Sequence, residues 1–370
     1  MASDATIAVY GATGYTGRLV VAALRDHGLR PLLAGRDPER LRAVADELGV
    51  DAPVRPAGVH DPGALRHAFG DCAAVINCAG PFTRLGEPVL KAAIESGTHY
   101  LDTTGEQPWM RRMQERWDGA AHAGEVAVVN AMGFDYVPGD LLAHVVAQGH
   151  EPLEDIVIAY AVAGFGASRG TLRSILEMAK GGDLEYSDGH WRAGTGSPVR
   201  SSFQFPDPLG RVAMTHYPAG EVVTVPRHVD TRRVITLISS NIFAPHPAFA
   251  SVAPKLVRAG APVMRTPASL ALDVAVGLLP EGPDEDARRG ARFTIGVLAR
   301  GENASVGRGI VRGSDVYGLT AEIATHAAEL MAAPGYDRAG VLAPAQAFDA
   351  RAFLDALGEH GLTYELGVAT

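Results

Sequence analysis

Three glycines near the start of the chain have the spacing of a nucleotide-binding turn. Gly11, Gly14 and Gly17 separate the apolar run Ala5 to Tyr10 from a segment whose apolar residues recur at helical spacing. Between a strand and a helix, the first glycine permits a tight turn, the second lets a pyrophosphate approach the backbone, and the third lets the helix pack closely. The predicted cofactor contacts here are Gly11, Thr13, Gly14, Tyr15, Thr16 and Gly17. An ordinary glycine turn is the alternative interpretation.

The end of the second predicted strand indicates which dinucleotide is bound. Gly35 and Arg36 stand where NAD enzymes usually place an acid for the ribose 2′-hydroxyl. Glycine leaves room there, and a planar guanidinium suits a 2′-phosphate. Asp37 could still reach the ribose, but an aspartate followed by Pro38 and Glu39 is typical of a helix N-cap. We therefore predict NADP as the cofactor, with NAD as the less favoured alternative.

Two more apolar runs end in small or polar residues. The first, from Ala73, predicts contacts with the nicotinamide half of the cofactor, because ligands bind at the carboxyl ends of parallel strands. These contacts are Asn77, Ala79, Gly80, Pro81 and Phe82. A Gly-Pro turn before a helix is the alternative. In the second run, Tyr100 and Asp102 are predicted to contact substrate.

A loop after the sixth predicted strand carries the candidate catalytic residues, Asp135 and Tyr136. A tyrosine hydroxyl can donate a proton, and a carboxyl group in a water-poor cleft can have its pKa raised into the working range. One of the two is predicted to protonate the reduced product. The alternatives are that Asp135 caps a turn and that Tyr136 packs at a hinge.

A further candidate substrate contact lies at the start of a later helix. Ser168, Arg169 and Thr171 combine free N–H groups with an arginine, which is an arrangement that binds carboxylate or phosphate. Capping of the helix is the alternative role of the serine or threonine.

These residues require an α/β scaffold. Alternating strands and helices over residues 1–140 predict a Rossmann-type, doubly wound parallel sheet. Residues 141–315 predict a second α+β domain on a mixed or antiparallel sheet, for binding substrate and for dimerisation. Residues 316–370 predict C-terminal helices that return to the Rossmann domain. Strands of the second domain are predicted at residues 156–162, 221–229, 233–239, 292–299 and 304–312, and helices at 168–180, 247–259 and 267–279.

Composition excludes several classes of function. The 370 residues carry a net charge of −9 without a basic cluster, so we expect no nucleic-acid partner. Cys72 and Cys78 fit buried hydrophobes, and no metal-type Cys-x-x-Cys spacing occurs, so we expect no metal. No apolar run has the ~18 residues of a membrane span. Together with the lack of a signal sequence, this predicts a cytoplasmic protein without a membrane span.

The motifs together resemble the saccharopine dehydrogenase-like oxidoreductases, a group that includes saccharopine reductases and trans-acting enoyl reductases. The matching segments are residues 10–17, 33–36, 77–82, 100–106 and 133–140, with weaker echoes at 168–171 and 340–347. The resemblance covers about the first 140 residues well and the remainder loosely. It implies an NADP-binding Rossmann domain and a substrate domain whose mixed sheet often mediates dimerisation, hence a homodimer.

The favoured function is an NAD(P)H-dependent reductase that acts on a C=N or C=C bond of a small or medium-sized metabolite. None of the tyrosines is followed by lysine at the Tyr-x-x-x-Lys spacing of short-chain dehydrogenases, which disfavours simple alcohol oxidation. The alternatives are a trans-acting enoyl reductase on a lipid or polyketide intermediate, and a regulator that senses NADP without turnover.

Overall fold

The computed structural model describes residues 5–194, 201–240, 268–302 and 304–367. Its strands are β1 (Thr6–Tyr10), β2 (Arg30–Gly35), β3 (Val54–Pro56), β4 (Ala74–Asn77), β5 (His99–Asp102), β6 (Ala127–Val129), β7 (Asp155–Ala163), β8 (Leu184–Ser187), β9 (His190–Ala193), β10 (Ser201–Gln204), β11 (Arg211–His216), β12 (Arg233–Ser239), β13 (Arg292–Arg300), β14 (Ser305–Ser314), β15 (Gly340–Leu342) and β16 (Thr363–Gly367).

The helices of the described residues begin and end as follows. They are α1 (Tyr15–Asp26), α2 (Pro38–Leu48), α3 (Pro62–Phe69), α4 (Phe82–Glu95), α5 (Gln107–Ala123), α6 (Val137–Ala147), α7 (Arg169–Gly181), α8 (Glu221–Thr224), α9 (Ala268–Gly277), α10 (Glu285–Gly290), α11 (Val316–Ala332), α12 (Pro344–Ala347) and α13 (Ala350–Ala356). Short 3-10 turns occupy Val225–Arg227 and Leu357–His360. The helix predicted for residues 247–259 lies outside the described residues.

The chain forms two compact units. The first contains Met1–Phe134 and Tyr317–Phe348, and the second contains Asp135–Val316 and Asp349–Thr370. This division differs from the expected boundaries in two places. The second unit already begins before helix α6. The last segment of the chain is divided between the two units, because β15 pairs with β6 of the first unit whereas β16 pairs with β14 of the second.

The first unit is built on a seven-stranded sheet in the order β15-β6-β5-β4-β1-β2-β3, and every pairing in it is parallel. The order reverses between β1 and β4, which is the switch point where open α/β sheets bind ligands. Ile7 and Val9 in β1 are 0% exposed, as expected for a strand covered on both faces. The predicted Rossmann-type sheet is confirmed.

The second unit contains a nine-stranded sheet. The order is β10-β11-β12-β7-β13-β14-β16, and the hairpin β8-β9 is attached to β12. Strand β7 pairs in parallel with β12 and antiparallel with β13. Phe203, Phe205, Met214 and Leu237 belong to a buried cluster on this sheet. The predicted mixed sheet is confirmed.

One predicted strand of the second unit is wrong. Residues 221–229 begin as helix α8 and continue as a 3-10 turn, not as a strand. The run of valines suggested a strand, but Pro226 has no N–H to donate to a ladder. Val222, Val223 and Val225 are all buried, so burial does not alternate along the run as a half-buried strand requires.

Candidate functional site

The glycine turn between β1 and α1 is held by close backbone approaches. Gly11 has a φ of +83°, which side-chain-bearing residues rarely adopt, and its N–H donates to the Ala34 carbonyl at 2.9 Å. A Cβ added to Gly17 would lie 2.3 Å from the Gly11 oxygen. Gly11 and Gly17 are therefore required by the fold of the turn itself.

Gly14 differs from the two other glycines of the turn. It is exposed, it directly precedes α1, and an added Cβ would meet only the Gly11 oxygen, at 3.3 Å. The protein atoms alone thus leave nearly enough room for a side chain at Gly14. A phosphate bound at the start of α1 would occupy the same space. Thr13, Tyr15 and Thr16 lie around it, partly exposed, and the Tyr15 ring packs edge-on against Tyr317.

This difference allows ligand binding and folding to be tested separately. Gly14→Ala is expected to lower NADPH affinity by about 10- to 150-fold, because a displaced phosphate loses a charge-assisted hydrogen bond worth about 1.5–3 kcal/mol. Its unfolding free energy should change little. The control is Gly119→Ala in α5, where an added Cβ would meet no described atom within 4 Å apart from its chain neighbours and the backbone of its own helix. Titration calorimetry with NADPH and urea unfolding give the two readouts, and wild-type affinity in Gly14→Ala contradicts the predicted pyrophosphate contact.

At the end of β2 the structure separates the roles of two charged neighbours. Asp37 caps α2, because its Oδ1 accepts the N–H groups of Glu39 and Arg40, each at 3.1 Å. Arg36 is exposed, and it makes no hydrogen bond or ion pair with the residues that the structure describes. Its guanidinium is therefore available to a phosphate, whereas the Asp37 carboxylate is already used by the helix.

The turn after β4 is fixed by a buried amide. Asn77 is 0% exposed, its Oδ1 accepts the Ala79 N–H at 3.0 Å, and its Nδ2 donates to the Tyr100 hydroxyl at 3.0 Å. Ala79 is partly exposed and Gly80 is exposed, whereas Pro81 and Phe82 are buried. The predicted nicotinamide contacts therefore lie on one turn, of which Ala79 and Gly80 form the accessible part.

Asp102 connects several elements of the first unit. Its Oδ2 accepts the Tyr100 hydroxyl at 3.0 Å and the Trp109 Nε1–H at 2.9 Å, and its Oδ1 accepts the N–H groups of Thr104 and Ala131. Burial is the largest influence on the Asp102 carboxyl and raises its pKa to about 6, although these hydrogen bonds act in the opposite direction. Because Tyr100 and Asp102 are both 0% exposed, the structure places them behind the turn of Asn77.

A second buried carboxylate caps α4 from outside the helix. Glu106 is 0% exposed, and its two oxygens accept the N–H groups of Phe82 and Thr83 at 2.8 and 2.7 Å. The Thr83 hydroxyl also donates to it. Pro81, at the N-cap position, has no side-chain acceptor of its own. Glu106 therefore fixes the point at which the turn from Asn77 enters the helix.

The candidate catalytic residues belong to a cluster of phenols and acids in the second unit. Asp135 is half-buried, and burial raises its pKa to about 7. Tyr136 is 1% exposed and is hydrogen-bonded to Tyr217. The Tyr160 hydroxyl donates to Glu221, and the ring centroids of Tyr160 and Tyr217 are 5.8 Å apart. A carboxyl group that is half protonated near neutral pH can serve as a general acid.

The start of α7 shows the capping arrangement. The Ser168 Oγ accepts the Thr171 N–H at 3.2 Å, and the Thr171 hydroxyl lies 3.0 Å from Ser168. Arg169 forms an ion pair with Glu281 at 2.7 Å and donates to the Gly277 carbonyl at 3.1 Å. A substrate anion would have to displace Glu281 from Arg169, so these three residues remain predicted contacts whose groups already have partners.

Tyr160, Tyr217 and Glu221 are not among the residues that the sequence predicts for the site. The sequence does contain a signal for Glu221, which is an acid inside the apolar run from Ala219 to Val225. Such an acid is expected either to be buried with hydrogen-bond partners or to lie at an exposed break in the apolar run. The two tyrosines gave no such signal. Tyr160 lies in β7, and Tyr217 directly follows β11. Both strands pair with β12, so the order of the sheet brings the two tyrosines near each other.

Comparison with known proteins identifies the first unit. Residues 7–128 match the family model for the saccharopine dehydrogenase NADP binding domain. This part of the chain is similar to such a domain. The resemblance inferred from the motifs is thereby confirmed, and NADP is the cofactor of the domain family. The glycine turn, the end of β2 and the turn of Asn77 all lie inside the matched segment.

Curated relatives match shorter stretches. A trans-acting enoyl reductase of Mycobacterium ulcerans is 38% identical over 143 residues, which are 37% of this chain and 34% of the relative. A putative trans-acting enoyl reductase of Mycobacterium tuberculosis is 35% identical over 182 residues, covering 46% and 43%. A lipid droplet localized protein of Caenorhabditis elegans is 37% identical over 146 residues, covering 36% and 34%. The chain thus matches less than half the length of these relatives.

A solved structure extends the comparison beyond the NADP binding domain. Apo saccharopine dehydrogenase (L-Glu forming) from Saccharomyces cerevisiae superposes with a TM-score of 0.60, covering 98% of this chain and all of that chain, at 13% sequence identity. At that identity the likeness shows the fold. Among the described residues, no helix has the length and apolar character needed to cross a membrane.

Proposed function

We propose that the protein is an NADPH-dependent reductase that acts on a C=C or C=N bond of a small or medium-sized metabolite. The observation that carries this proposal is the exposed Gly14 directly before α1, where an added Cβ would meet only the Gly11 oxygen, within a segment that matches an NADP binding domain. When bound, the cofactor supplies a hydride from its nicotinamide ring. The chain binds and orients the two reactants, excludes water and delivers a proton.

The residues proposed to hold NADP fall into three groups. Gly11, Thr13, Gly14, Tyr15, Thr16 and Gly17 would contact the pyrophosphate, Gly35 and Arg36 the 2′-phosphate, and Asn77, Ala79, Gly80, Pro81 and Phe82 the nicotinamide half. Asn77 and Phe82 are buried, so their contribution is to hold the turn. We propose the same positioning role for Tyr100 and Asp102, because their polar atoms are bound behind that turn.

The preference for NADP over NAD is proposed to depend on Arg36. Arg36→Ala is expected to reduce the NADPH/NADH affinity ratio about 10- to 150-fold, since a guanidinium on a phosphate contributes about 1.5–3 kcal/mol. The control is Arg42→Ala, an exposed arginine on α2. Dissociation constants for both dinucleotides, measured by fluorescence, check the prediction. If the ratio is unchanged in Arg36→Ala, another group selects the cofactor.

A trans-acting enoyl reductase is the form of this function that the relatives favour. Two relatives of M. ulcerans and M. tuberculosis carry that name, although each is matched over less than half its length. A lipid or polyketide intermediate would then be the substrate. An NADP-sensing regulator is the competing function. NADPH oxidation by an enoyl compound supports the reductase, whereas NADPH binding without oxidation of any enoyl or imine compound supports the regulator.

We propose that the protein is a cytoplasmic homodimer, because the second unit resembles substrate domains that mediate dimerisation. The outer strands of its nine-stranded sheet, β10 and β16, are short, with four and five residues. Light scattering after gel filtration gives the mass directly. A monomer at micromolar concentration contradicts the proposed dimer.

A further inference from the structure

One face of α6 and its C-terminal cap carry three polar side chains at intervals of four residues. Asp140, His144 and Gln148 follow one another there, because residues four apart share a face of a helix. The side chain of Asp140 is 0% exposed, His144 is partly exposed and Gln148 is exposed. Within α6, His144 is also the one residue that is not buried. This face therefore leads from solvent to a buried carboxyl group.

His228, from the segment after α8, completes a chain of hydrogen bonds along that face. Its Nε2 lies 3.0 Å from Asp140 Oδ2, and its Nδ1 lies 3.3 Å from His144 Nδ1. The His144 Nε2 lies 3.3 Å from the Gln148 amide nitrogen. The His228 side chain is 4% exposed, so the two inner groups of the chain are shielded from solvent. All four residues belong to the second unit.

The inner end of this chain fixes the direction of its hydrogen bonds. An ionised carboxylate only accepts, so His228 donates its Nε2–H to Asp140, and the Nδ1 of a neutral His228 accepts. His144 then donates from Nδ1, and its Nε2 accepts from the Gln148 amide. Burial, followed by the neighbouring His228, lowers the pKa of His144, whereas the charges of Asp140 and Glu151 act in the opposite direction. Each imidazole thus has one donor and one acceptor nitrogen.

A neutral pair of this kind can move a proton inward while its rings stay in place. A proton from solvent binds His144 Nε2, and the Gln148 amide turns its oxygen toward the new N–H. The Nδ1 proton of His144 passes to His228 Nδ1, and the Nε2 proton of His228 passes to the Asp140 carboxylate. One proton has then entered, Asp140 is neutral, and each imidazole is neutral with its proton on the other nitrogen. The reverse sequence returns a proton to solvent.

Glu221 lies at the inner end of the chain. A Cβ added to Gly139, the residue before Asp140, would be 2.4 Å from Glu221 Oε1. The other carboxyl oxygen, Oε2, is buried and has no hydrogen-bond partner among the described residues. Burial raises the pKa of Glu221 well above its ordinary value, and the charges of Asp140 and Asp135 act in the same direction. The protonation of Asp140 is therefore coupled to the buried acids of the second unit.

We propose that His144 and His228 form a proton relay that carries protons from solvent through Asp140 to the buried acids around Glu221. The relay replaces the proton that each reduction consumes, so this inference rests on the proposed reductase function. His144 is the point of entry. Both histidines act through the acids and are given no contact with substrate or cofactor.

The tautomers of the two histidines test the relay without any reaction. Long-range ¹H–¹⁵N NMR of the full chain, labelled on histidine, should show His144 as the Nδ1–H tautomer and His228 as the Nε2–H tautomer above about pH 8. Nδ1–H is the minor tautomer of a free imidazole, so this result for His144 is diagnostic. The exposed His190 is the control and should show Nε2–H. An Nε2–H tautomer at His144 overturns the relay.

Kinetic measurements separate the supply of protons from the chemical step. His144→Ala is expected to lower the steady-state kcat for NADPH oxidation by an enoyl compound about 10²-fold in weakly buffered solution. The first turnover at saturating NADPH should keep the wild-type rate, because the proton that it uses is already in place. Added imidazole should restore kcat, since a diffusing base replaces the missing ring. The control is His150→Ala, which removes an exposed histidine shortly after α6 and should match the wild type.

His144 is the better position for this test, because loss of His228 would leave the buried Asp140 charge unpaired and destabilise the fold. A slow first turnover in His144→Ala, or a decrease in kcat that imidazole does not restore, shows a structural role and overturns the relay. Wild-type kcat in His144→Ala also overturns it. If both tautomers are as expected but no enoyl or imine compound oxidises NADPH, the relay geometry is retained and the proposed reduction is wrong.

Discussion

Asp135→Asn is expected to slow the reduction of an enoyl substrate about 10²- to 10⁴-fold, because we propose Asp135 as the proton donor and the substitution removes its acidic proton. The physical basis is the burial of Asp135, which raises the pKa of its carboxyl group to about 7. At neutral pH a large fraction of this acid is therefore protonated. An asparagine side chain at that position keeps the shape but has no proton of comparable acidity to transfer.

The pH dependence supplies a sharper readout. Because the folded-state pKa is raised, the acid form is present below about pH 7 and is lost above it, so kcat/KM should fall as the pH increases through 7. This decrease should be absent in Asp135→Asn. Other groups titrate nearby, since Tyr136, Tyr160, Tyr217 and Glu221 all sense the charge of Asp135, but burial raises each of their pKa values.

Single-turnover measurement at saturating NADPH checks the prediction. Asp188→Asn, at an exposed turn of the second unit, is the control and should match the wild type. If the rate of Asp135→Asn stays within a few-fold and only its stability decreases, Asp135 has a structural role. Tyr136→Phe should have a smaller effect on rate, because Tyr136 is 1% exposed and its phenol is a much weaker acid than the Asp135 carboxyl group. An iminium substrate needs no proton in the hydride step and should be nearly insensitive to Asp135→Asn.

Glu106→Ala is expected to lower the unfolding free energy by about 2–6 kcal/mol, because one buried and one partly buried N–H group lose their acceptor at about 1–3 kcal/mol each. Those groups are the N–H of Phe82 and Thr83, at the first turn of α4. A carboxylate at a helix N-terminus is also favoured by the helix dipole. Since the same turn carries the proposed nicotinamide contacts, NADPH affinity should decrease as well.

Two variants show whether the effect comes from the buried cap. Glu87→Ala removes a partly exposed acid of the same helix, whose ion pair with Arg116 spans 3.5 Å, and should change stability by less than about 1 kcal/mol. Glu106→Gln keeps one acceptor oxygen and should lie between Glu106→Ala and the wild type. Urea unfolding gives the free energies. Equal stability of Glu106→Ala and Glu87→Ala would show that other groups satisfy the start of α4.

The cofactor half of the protein was predictable because it depends on local sequence. A glycine turn, a capped helix and a strand end are each specified within about ten residues, and parallel strands bring their carboxyl ends to one edge. Gly11 to Gly17, Arg36 and Asn77 can therefore be proposed together as cofactor contacts from the sequence alone. The Asp37 cap was also predictable, because aspartate before Pro38 favours that conformation.

The substrate half was less predictable because burial and pairing decide its chemistry. The valines of the run from residue 221 predict a strand, but the run folds as a short helix that buries Glu221 beside Tyr160. Arg169 had the composition of an anion site, yet Glu281, more than a hundred positions later, forms an ion pair with it. Neither partner could be found from local spacing.

The sequence by itself determined the NADP binding domain, the parallel sheet and the position of the loop carrying Asp135, since each follows from glycine placement and from the periodicity of apolar residues. Only the tertiary structure decided that Tyr100 and Asp102 lie behind the turn of Asn77, that Glu106 caps α4, and that Tyr217 belongs to the cluster of Asp135. The physical reason is that the pKa and the hydrogen-bond partners of a side chain depend on its burial, and segments distant in sequence produce that burial.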